Sequence, residues 1–124
     1  MTFVCYPKCT TCQKAKKWLD ESGISYELRD IKTQNPSYEE LEQWYRRSGL
    51  PLKKFFNTSG LLYKSMALKD KLSGMTEEEM LHLLATDGML VKRPLLVGEE
   101  TVLVGFKEAE WAQRLKANEA DTKK

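Results

Sequence analysis

The sequence lacks the features that would assign it to several common classes of protein. It has no apolar run near the roughly 20 residues needed to span a bilayer, and no charged lead, apolar stretch and cleavage site of a secretory signal. Charge is also not dominated by one sign, with 20 Lys and Arg against 18 Asp and Glu. We therefore expect a cytoplasmic protein that binds neither membranes nor nucleic acid directly.

Cysteine is scarce, with three in 124 residues, which argues against a small fold stapled by disulfides. Two of the three, Cys9 and Cys12, are separated by Thr10 and Thr11 and so lie about one helical turn apart. Such a pair can form a disulfide or share a metal. Because Cys9 directly precedes a helix-like stretch, the helix dipole favours its thiolate. Cys9 is the first candidate for a chemical role.

The first thirty residues predict a compact βαβ unit. Residues 2–6 form an apolar run typical of a buried strand, and residues 10–21 place apolar side chains at helical spacing. Gly23 predicts the end of that helix, and residues 24–28 alternate between apolar and polar as a half-buried strand does. A strand, helix and strand in this order predict parallel strands with a right-handed crossover.

The rest of the chain predicts a helical block followed by a hairpin and a last helix. Ser37 with Glu40, and Thr76 with Glu79, fit the capping box that begins a helix. The predicted helices cover about residues 37–47, 52–56, 61–68, from 76 onward, and 107–116. Two apolar runs at 95–98 and 101–105 predict an antiparallel hairpin.

Taken together, the order predicts an α/β, thioredoxin-like fold with a βαβ-ββα core and a mixed four-stranded sheet. The helical block at about 37–87 is an insertion into that core. We expect one domain over residues 1–117 and a polar, frayed tail over residues 118–124. A dithiol at the end of the first strand fits this layout.

Three segments carry a resemblance to a known family. They are Tyr6–Ala15, which contains both cysteines, Lys92–Val97, which contains Arg93-Pro94, and Leu103–Phe106. Together they resemble the arsenate reductase-like (ArsC-like) branch of thioredoxin-fold proteins, which includes the Spx regulators. The resemblance runs from Thr2 to about Leu115. It implies that Pro94 is a cis-proline facing the active site.

The resemblance also implies roles for the residues around Cys9. Cys9 matches the cysteine that attacks arsenate in glutathione-coupled arsenate reductases, and Arg93 matches one of three arginines that hold the oxyanion. Asn57 and Gly105 stand where the other two arginines are expected. Losing two charge-assisted bonds of about 1.5–3 kcal/mol each would weaken arsenate binding by roughly two to four powers of ten. Efficient arsenate reduction is therefore not expected.

Other side chains are candidates for supporting roles at this site. Lys8, Thr10 and Thr11 flank Cys9 and are expected to contact the thiolate or the substrate. Asn57 is expected to form a polar wall of the pocket. Compensating positive charge could come from Lys53, Lys54 or Lys64, but a lysine is a point charge and cannot bind an anion in the bidentate way that an arginine can.

The function expected from the resemblance is that of a thiol-dependent reductase. Cys9 is the nucleophile and Cys12 resolves the intermediate as a Cys9–Cys12 disulfide. The substrate is a small oxidised compound or a protein disulfide, and glutathione, thioredoxin or glutaredoxin resets the pair. No tightly bound cofactor and a monomeric state are expected.

Two alternatives belong to other classes of protein. One is an Spx-like redox-sensing regulator that binds the RNA polymerase alpha subunit, although Pro51 and the basic, aromatic run that follows it differ from the Spx pattern at the corresponding interface. The other is structural zinc held by Cys5, Cys9, Cys12 and His82. The zinc hypothesis is weaker, because Cys5 lies inside an apolar strand and is expected to be a small buried hydrophobic residue.

Overall fold

A mixed sheet of four strands forms the centre of the fold. The computed structural model describes the backbone of residues 1–122 and the side chains of residues 1–115. The strands follow the order β2-β1-β3-β4 in the sheet. They are β1 (Thr2–Cys5), β2 (Glu27–Asp30), β3 (Leu95–Val97) and β4 (Val102–Val104). Strand β1 pairs in parallel with β2 and antiparallel with β3, and β3 pairs antiparallel with β4, which confirms the thioredoxin-like core.

Six α-helices surround the sheet in the described part of the chain. They are α1 (Thr10–Glu21), α2 (Tyr38–Ser48), α3 (Leu61–Ser65), α4 (Leu68–Lys71), α5 (Glu77–Thr86) and α6 (Glu108–Thr122). Short 3₁₀ turns cover Leu52–Phe55, Leu72–Gly74 and Gly88–Leu90. The predicted helix over 61–68 is in fact two helices, because Ala67 between them takes a left-handed conformation with φ of 52°.

The two faces of the sheet carry separate apolar clusters. Side chains alternate between the faces along each strand, so Phe3 and Cys5 point to one side and Val4 to the other. Phe3 and Cys5 pack with Leu19 of α1 and Trp111 of α6. The opposite cluster joins Val4 to the buried residues of α2 and α5 and of the 3₁₀ turns: Leu41, Trp44, Leu52, Phe55, Leu72, Met80, Leu81, Leu84 and Leu90.

Both predicted capping boxes are present. The Ser37 hydroxyl accepts from the Glu40 amide at 3.2 Å, while a Glu40 carboxylate oxygen accepts from the Ser37 amide at 3.1 Å. Thr76 and Glu79 make the equivalent pair of bonds at 3.0 and 3.1 Å. Each box satisfies two amides that helix geometry leaves without a partner, so the starts of α2 and α5 follow from local sequence.

Two element boundaries differ from the prediction. Strand β2 begins at Glu27 rather than Ile24, because the Ile24 amide donates to the Leu19 carbonyl at 3.1 Å and so closes the end of α1. Leu28 is 57% exposed, since β2 is an edge strand. Helix α6 continues beyond residue 116 to Thr122, so most of the predicted tail is helical in its backbone, and residues 123–124 lie outside the described part.

No helix in the described residues has the length and apolar character that crossing a membrane requires.

Candidate active site

The loop between β1 and α1 presents Cys9 at the start of the helix. Cys9 is the residue before the first turn of α1 and has extended backbone angles, with φ of −85° and ψ of 123°. Its amide donates to the Tyr6 carbonyl at 2.9 Å, and the Gln13 side-chain amide donates to the Pro7 carbonyl at 2.9 Å. The first bond closes the loop as a turn, and the second connects the loop to α1. The Cys9 side chain remains half-buried.

Cys12 lies one turn into α1 and differs from Cys9 in its surroundings. It is only 2% exposed, and its Sγ accepts a hydrogen bond of 3.3 Å from the Tyr6 amide. A hydrogen bond with Cys5, together with burial, raises the pKa of the Cys12 thiol. Cys9 also lies within hydrogen-bonding reach of Cys12, and all three cysteines are free. Cys12 is therefore a buried, protonated thiol beside a more accessible Cys9.

Cys5 has a contact that the sequence did not predict. The expectation of a small buried hydrophobe holds for its exposure, which is 5%. Its thiol nevertheless shares a hydrogen bond with Cys12, because Cys5 ends β1 on the face that α1 covers. The alternation of β1 could have indicated this face, since Cys5 is two residues from Phe3 and so lies on the same side.

The opposite wall comes from the segment that precedes β3. The Arg93–Pro94 peptide bond is cis, as the resemblance implied, and the Pro94 carbonyl accepts from the Gly105 amide at 2.8 Å. The Arg93 guanidinium lies over the Tyr6 ring, with Cζ 5.2 Å from the ring centroid. Its Nε and Nη1 are buried, and neither has a hydrogen-bond partner among the described residues. Arg93 as a whole is only partly buried, so its guanidinium can donate charge-assisted hydrogen bonds to an anion that enters beside it.

A cavity of about 270 Å³ brings these groups together. Of the predicted site residues, Cys9, Thr11, Asn57 and Arg93 line this cavity. Lys8 and Thr10 are exposed and do not appear in its lining, because consecutive residues at the start of a helix point in different directions. Cys12 and Pro94 are buried behind the wall rather than in it.

The two positions expected to lack an arginine do lie on the cavity. Asn57 is 8% exposed, and its Oδ1 accepts from the Ser59 hydroxyl at 3.2 Å, so it forms a neutral polar wall. Gly105 has φ of 73°, a region that favours glycine, and a Cβ there would lie 3.2 Å from Cε of Lys92. Arg93 is the only arginine among the described residues that line the cavity.

Lys92 and Lys107 line the cavity although the sequence did not single them out. Lys92 is the first residue of one segment that carries the resemblance, directly before Arg93, and Lys107 directly follows another segment, after Phe106. That adjacency is the signal that could have found them. Lys53 and Lys54, which were expected to add charge, instead line a neighbouring cavity, and Lys64 lines neither.

His82 does not join the cysteines. Its ring lies 4.4 Å from that of Tyr38, and its Nε2 is 3.8 Å from a Glu78 carboxylate oxygen on the exposed side of α5. The described residues contain no cluster of three His, Cys, Asp or Glu side chains arranged to hold a metal. The zinc alternative therefore receives no support from the positions of its four proposed ligands.

The comparison with protein families agrees with this geometry. A family model described as the ArsC family matches residues 5–114. The chain belongs to the ArsC family. The match covers both cysteines and the Arg93-Pro94 segment.

The relatives of this ArsC-family chain include an uncharacterised protein, a regulatory protein and a protein of known crystal structure. The uncharacterised protein YusI of Bacillus subtilis (strain 168) is 56% identical over 91% of this chain and 96% of its own. The regulatory protein MgsR of the same organism is 30% identical over 89% of this chain and 86% of its own. A crystal structure of a putative ArsC family related protein from Bacteroides fragilis superimposes with a TM-score of 0.89 at 60% identity, covering 90% of this chain and 94% of that chain.

Proposed function

We propose that this ArsC-family protein is a thiol-dependent reductase in which Cys9 is the nucleophile and Cys12 the resolving cysteine. The asymmetry between the two thiols carries the proposal. Cys9 opens onto a cavity, whereas Cys12 is 2% exposed and its thiol holds its proton because of its hydrogen bond with Cys5 and its burial. A nucleophile must meet the substrate as a thiolate, while a resolving thiol acts only after the first bond has formed.

The reaction proceeds in three exchanges. The Cys9 thiolate attacks one sulfur of a substrate disulfide, forms a Cys9–substrate disulfide and expels the second substrate sulfur as a thiolate. Cys12 then loses its proton to solvent or to the leaving thiolate, attacks Sγ of Cys9 and releases the first substrate sulfur as a thiol. Two external thiols reduce the Cys9–Cys12 disulfide and become a disulfide themselves, so two electrons pass from external thiol to substrate.

A disulfide suits this site better than arsenate does. The cavity offers one arginine guanidinium for bidentate binding of an anion, whereas Asn57 and Gly105 occupy the other two expected arginine positions. Lys92 and Lys107 add charge without bidentate geometry. We place the reaction in the cytoplasm, where glutathione, thioredoxin or glutaredoxin supplies the external thiols, and it requires no tightly bound cofactor.

Turnover of a small disulfide tests the proposal directly. In a single turnover of the pre-reduced protein with 5,5′-dithiobis(2-nitrobenzoate) and no external thiol, which would itself consume the reagent, Cys9→Ser should abolish the release of 5-thio-2-nitrobenzoate. Cys12→Ser should instead accumulate a mixed disulfide on Cys9, visible as added mass on the intact protein. Cys5→Ser is the matched control, because it removes the third thiol by the same substitution and keeps a side chain that can hydrogen-bond with Cys12. Unchanged turnover in the Cys9→Ser variant would disprove the assigned nucleophile.

A second candidate function is that of an Spx-like regulator that contacts the RNA polymerase alpha subunit. The 30% identity to the regulatory protein MgsR supports this second candidate. The 3₁₀ turn at Leu52–Phe55 lies at the position that corresponds to the Spx interface. Leu52 and Phe55 of this turn are buried and its exposed side chains are Lys53 and Lys54, so the turn exposes a basic surface. A pull-down with purified alpha subunit, with the protein reduced and oxidised, distinguishes the candidates. Retention of alpha would support the regulator.

A further inference from the structure

A second cavity lies beside the cavity at Cys9. The second has a volume of about 310 Å³ and shares Lys92, Val104 and Lys107 with the first. Its lining also includes Lys53, Lys54 and the buried Phe56. We call the second cavity the basic groove. Because the two cavities share three lining residues, the basic groove lies next to the cavity that Cys9 lines.

The basic groove concentrates positive charge. It is lined by four lysines, Lys53, Lys54, Lys92 and Lys107, against one carboxylate, Glu110, whereas the whole chain has a formal net charge of only +2. Among the side chains of residues 1–115, none forms an ion pair or hydrogen bond with any of the four lysine ammonium groups. Arg93, on the adjoining wall, also has two unpartnered nitrogens. Unpaired cations gathered in a concave surface attract anionic ligands.

The dimensions and lining of the groove favour a polypeptide as the anionic ligand. A single oxyanion would fill only a small part of two adjacent cavities of about 270 and 310 Å³. The only aromatic residue lining the basic groove among the described residues, Phe56, is 1% exposed, so bases would have no platform for stacking. Leu50 and Val104 also line the groove and add apolar surface to that of the lysines. A lining that offers both apolar contact and positive charge suits an acidic peptide.

We propose that the basic groove binds an acidic segment of a protein substrate and so brings the disulfide beside that segment to Cys9. The proposal rests on the reductase function above and adds the class of substrate. The chemistry stays the same: Cys9 bonds to one sulfur of the protein disulfide, the other sulfur leaves as a thiolate, and Cys12 releases the protein as a dithiol. The groove contributes only binding and orientation.

Direct binding tests the groove without depending on turnover. Fluorescein-labelled ten-residue peptides with a central serine and flanks rich in Glu, Gln or Lys are titrated against the full-length Cys9→Ser variant, and anisotropy is measured at low and at 0.5 M salt. The Glu peptide should bind most tightly, and its affinity should fall with salt because exposed charges are screened. Equal binding of the Glu and Gln peptides would overturn the proposal.

Charge reversal locates the binding surface. Lys53→Glu with Lys54→Glu should weaken binding of the Glu peptide by roughly 3- to 30-fold, from two exposed charge contacts of about 0.2–1 kcal/mol each plus new repulsion. Lys69→Glu with Lys71→Glu is the matched control, because it makes the same change in net charge on the exposed lysines of α4. Equal loss in both double variants would show a general charge effect and contradict the groove. Tighter binding of a labelled ten-nucleotide oligothymidylate than of the Glu peptide would also overturn the proposal, in favour of nucleic acid.

Turnover then separates this proposal from the reductase proposal. The same peptides, with a central cysteine in mixed disulfide with 5-thio-2-nitrobenzoate, report attack by Cys9 through release of the coloured thiolate. The Glu peptide should show the highest kcat/KM, and the Lys53→Glu, Lys54→Glu variant should lose that preference while still reducing 2,2′-dithiodipyridine, a small disulfide without charge. Reduction of the small disulfide without any preference among peptides would refute the groove alone. No reduction of any disulfide would refute the reductase, while the anisotropy result would still decide the groove.

Discussion

The backbone amide of Tyr6 donates a hydrogen bond of 3.3 Å to Sγ of Cys12. This bond ties the buried thiol of α1 to the chain that leaves β1, so Cys12 is held in place behind Cys9. Because the Tyr6 carbonyl also accepts from the Cys9 amide at 2.9 Å, one residue positions both members of the pair. The different exposure of the two thiols follows from this arrangement.

The first prediction concerns the order in which the cysteines react. With limiting iodoacetamide at neutral pH, Cys9 should be alkylated first, since Cys5 and Cys12 are 5% and 2% exposed and reagent must reach the sulfur. Peptide mapping by mass spectrometry measures the order. In guanidinium chloride the three should react at similar rates, which is the control. Faster labelling of Cys12 than of Cys9 in the folded protein would contradict the assigned roles.

The second prediction concerns Arg93 and the charge of the substrate. Arg93→Ala should lower kcat/KM for 5,5′-dithiobis(2-nitrobenzoate), which carries carboxylates, by about tenfold or more, because a charge-assisted bond contributes about 1.5–3 kcal/mol. The neutral 2,2′-dithiodipyridine should be much less affected. Arg93→Lys keeps the charge without the fork and should retain part of the rate. An equal loss with both disulfides would indicate a structural role for Arg93 rather than contact with the anion.

The third prediction concerns acid stability and the Arg29–Glu40 pair. Arg29 donates to both carboxylate oxygens of Glu40 at 2.6 and 2.8 Å, and this lowers the pKa of Glu40 to about 2. A glutamate whose pKa is lowered in the folded state stabilises the fold at pH values above its ordinary pKa of about 4.3. This stabilisation is lost as the pH falls toward the pKa of the folded state. Glu40→Gln should therefore cost roughly 1 kcal/mol at pH 7, a discounted figure because the Glu40 side chain is 38% exposed.

Urea unfolding at several pH values measures this effect. The difference between Glu40→Gln and the unmodified protein should shrink between about pH 4 and pH 2, where the carboxylate becomes protonated. Glutamine can still accept from the Ser37 amide, so the capping box is retained in the variant. Glu39→Gln, at an exposed position of the same helix, is the control and should change stability little. A cost for Glu40→Gln that does not depend on pH would rule out the ion pair as its origin.

The fourth prediction concerns Gly105. Its φ of 73° and the 3.2 Å approach of a Cβ to Lys92 mean that Gly105→Ala should destabilise the fold by about 1–3 kcal/mol. Gly74→Ala is the control, because its φ is not positive and no atom lies within 4 Å of its Cβ position. Thermal unfolding compares the two variants. Similar melting temperatures for both would show that the left-handed conformation at Gly105 is not required.

Local signals in the sequence predicted much of the fold. The helix-capping residues Ser37 and Thr76 predicted the starts of α2 and α5, since a capping box needs only residues three apart. The predicted start of β2 was wrong because the Ile24 amide donates a hydrogen bond to α1 rather than to a neighbouring strand. The alternation of apolar residues does not reveal this bond. The break at Ala67 was also missed, since alanine rarely adopts a left-handed conformation.

For the candidate active site, too, some features follow from the sequence and others only from the tertiary structure. The sequence by itself determined that Cys9 begins a helix, that Cys12 follows one turn later and that Arg93 precedes a proline, because these are matters of order and spacing. Only the tertiary structure decided that Cys12 is buried against Cys5, that Arg93 has two unpartnered nitrogens and that Lys92 and Lys107 line both the cavity and a basic groove. These facts depend on contacts between β1, α1 and the segments flanking β3 and β4, which are distant in sequence and meet only when the sheet forms.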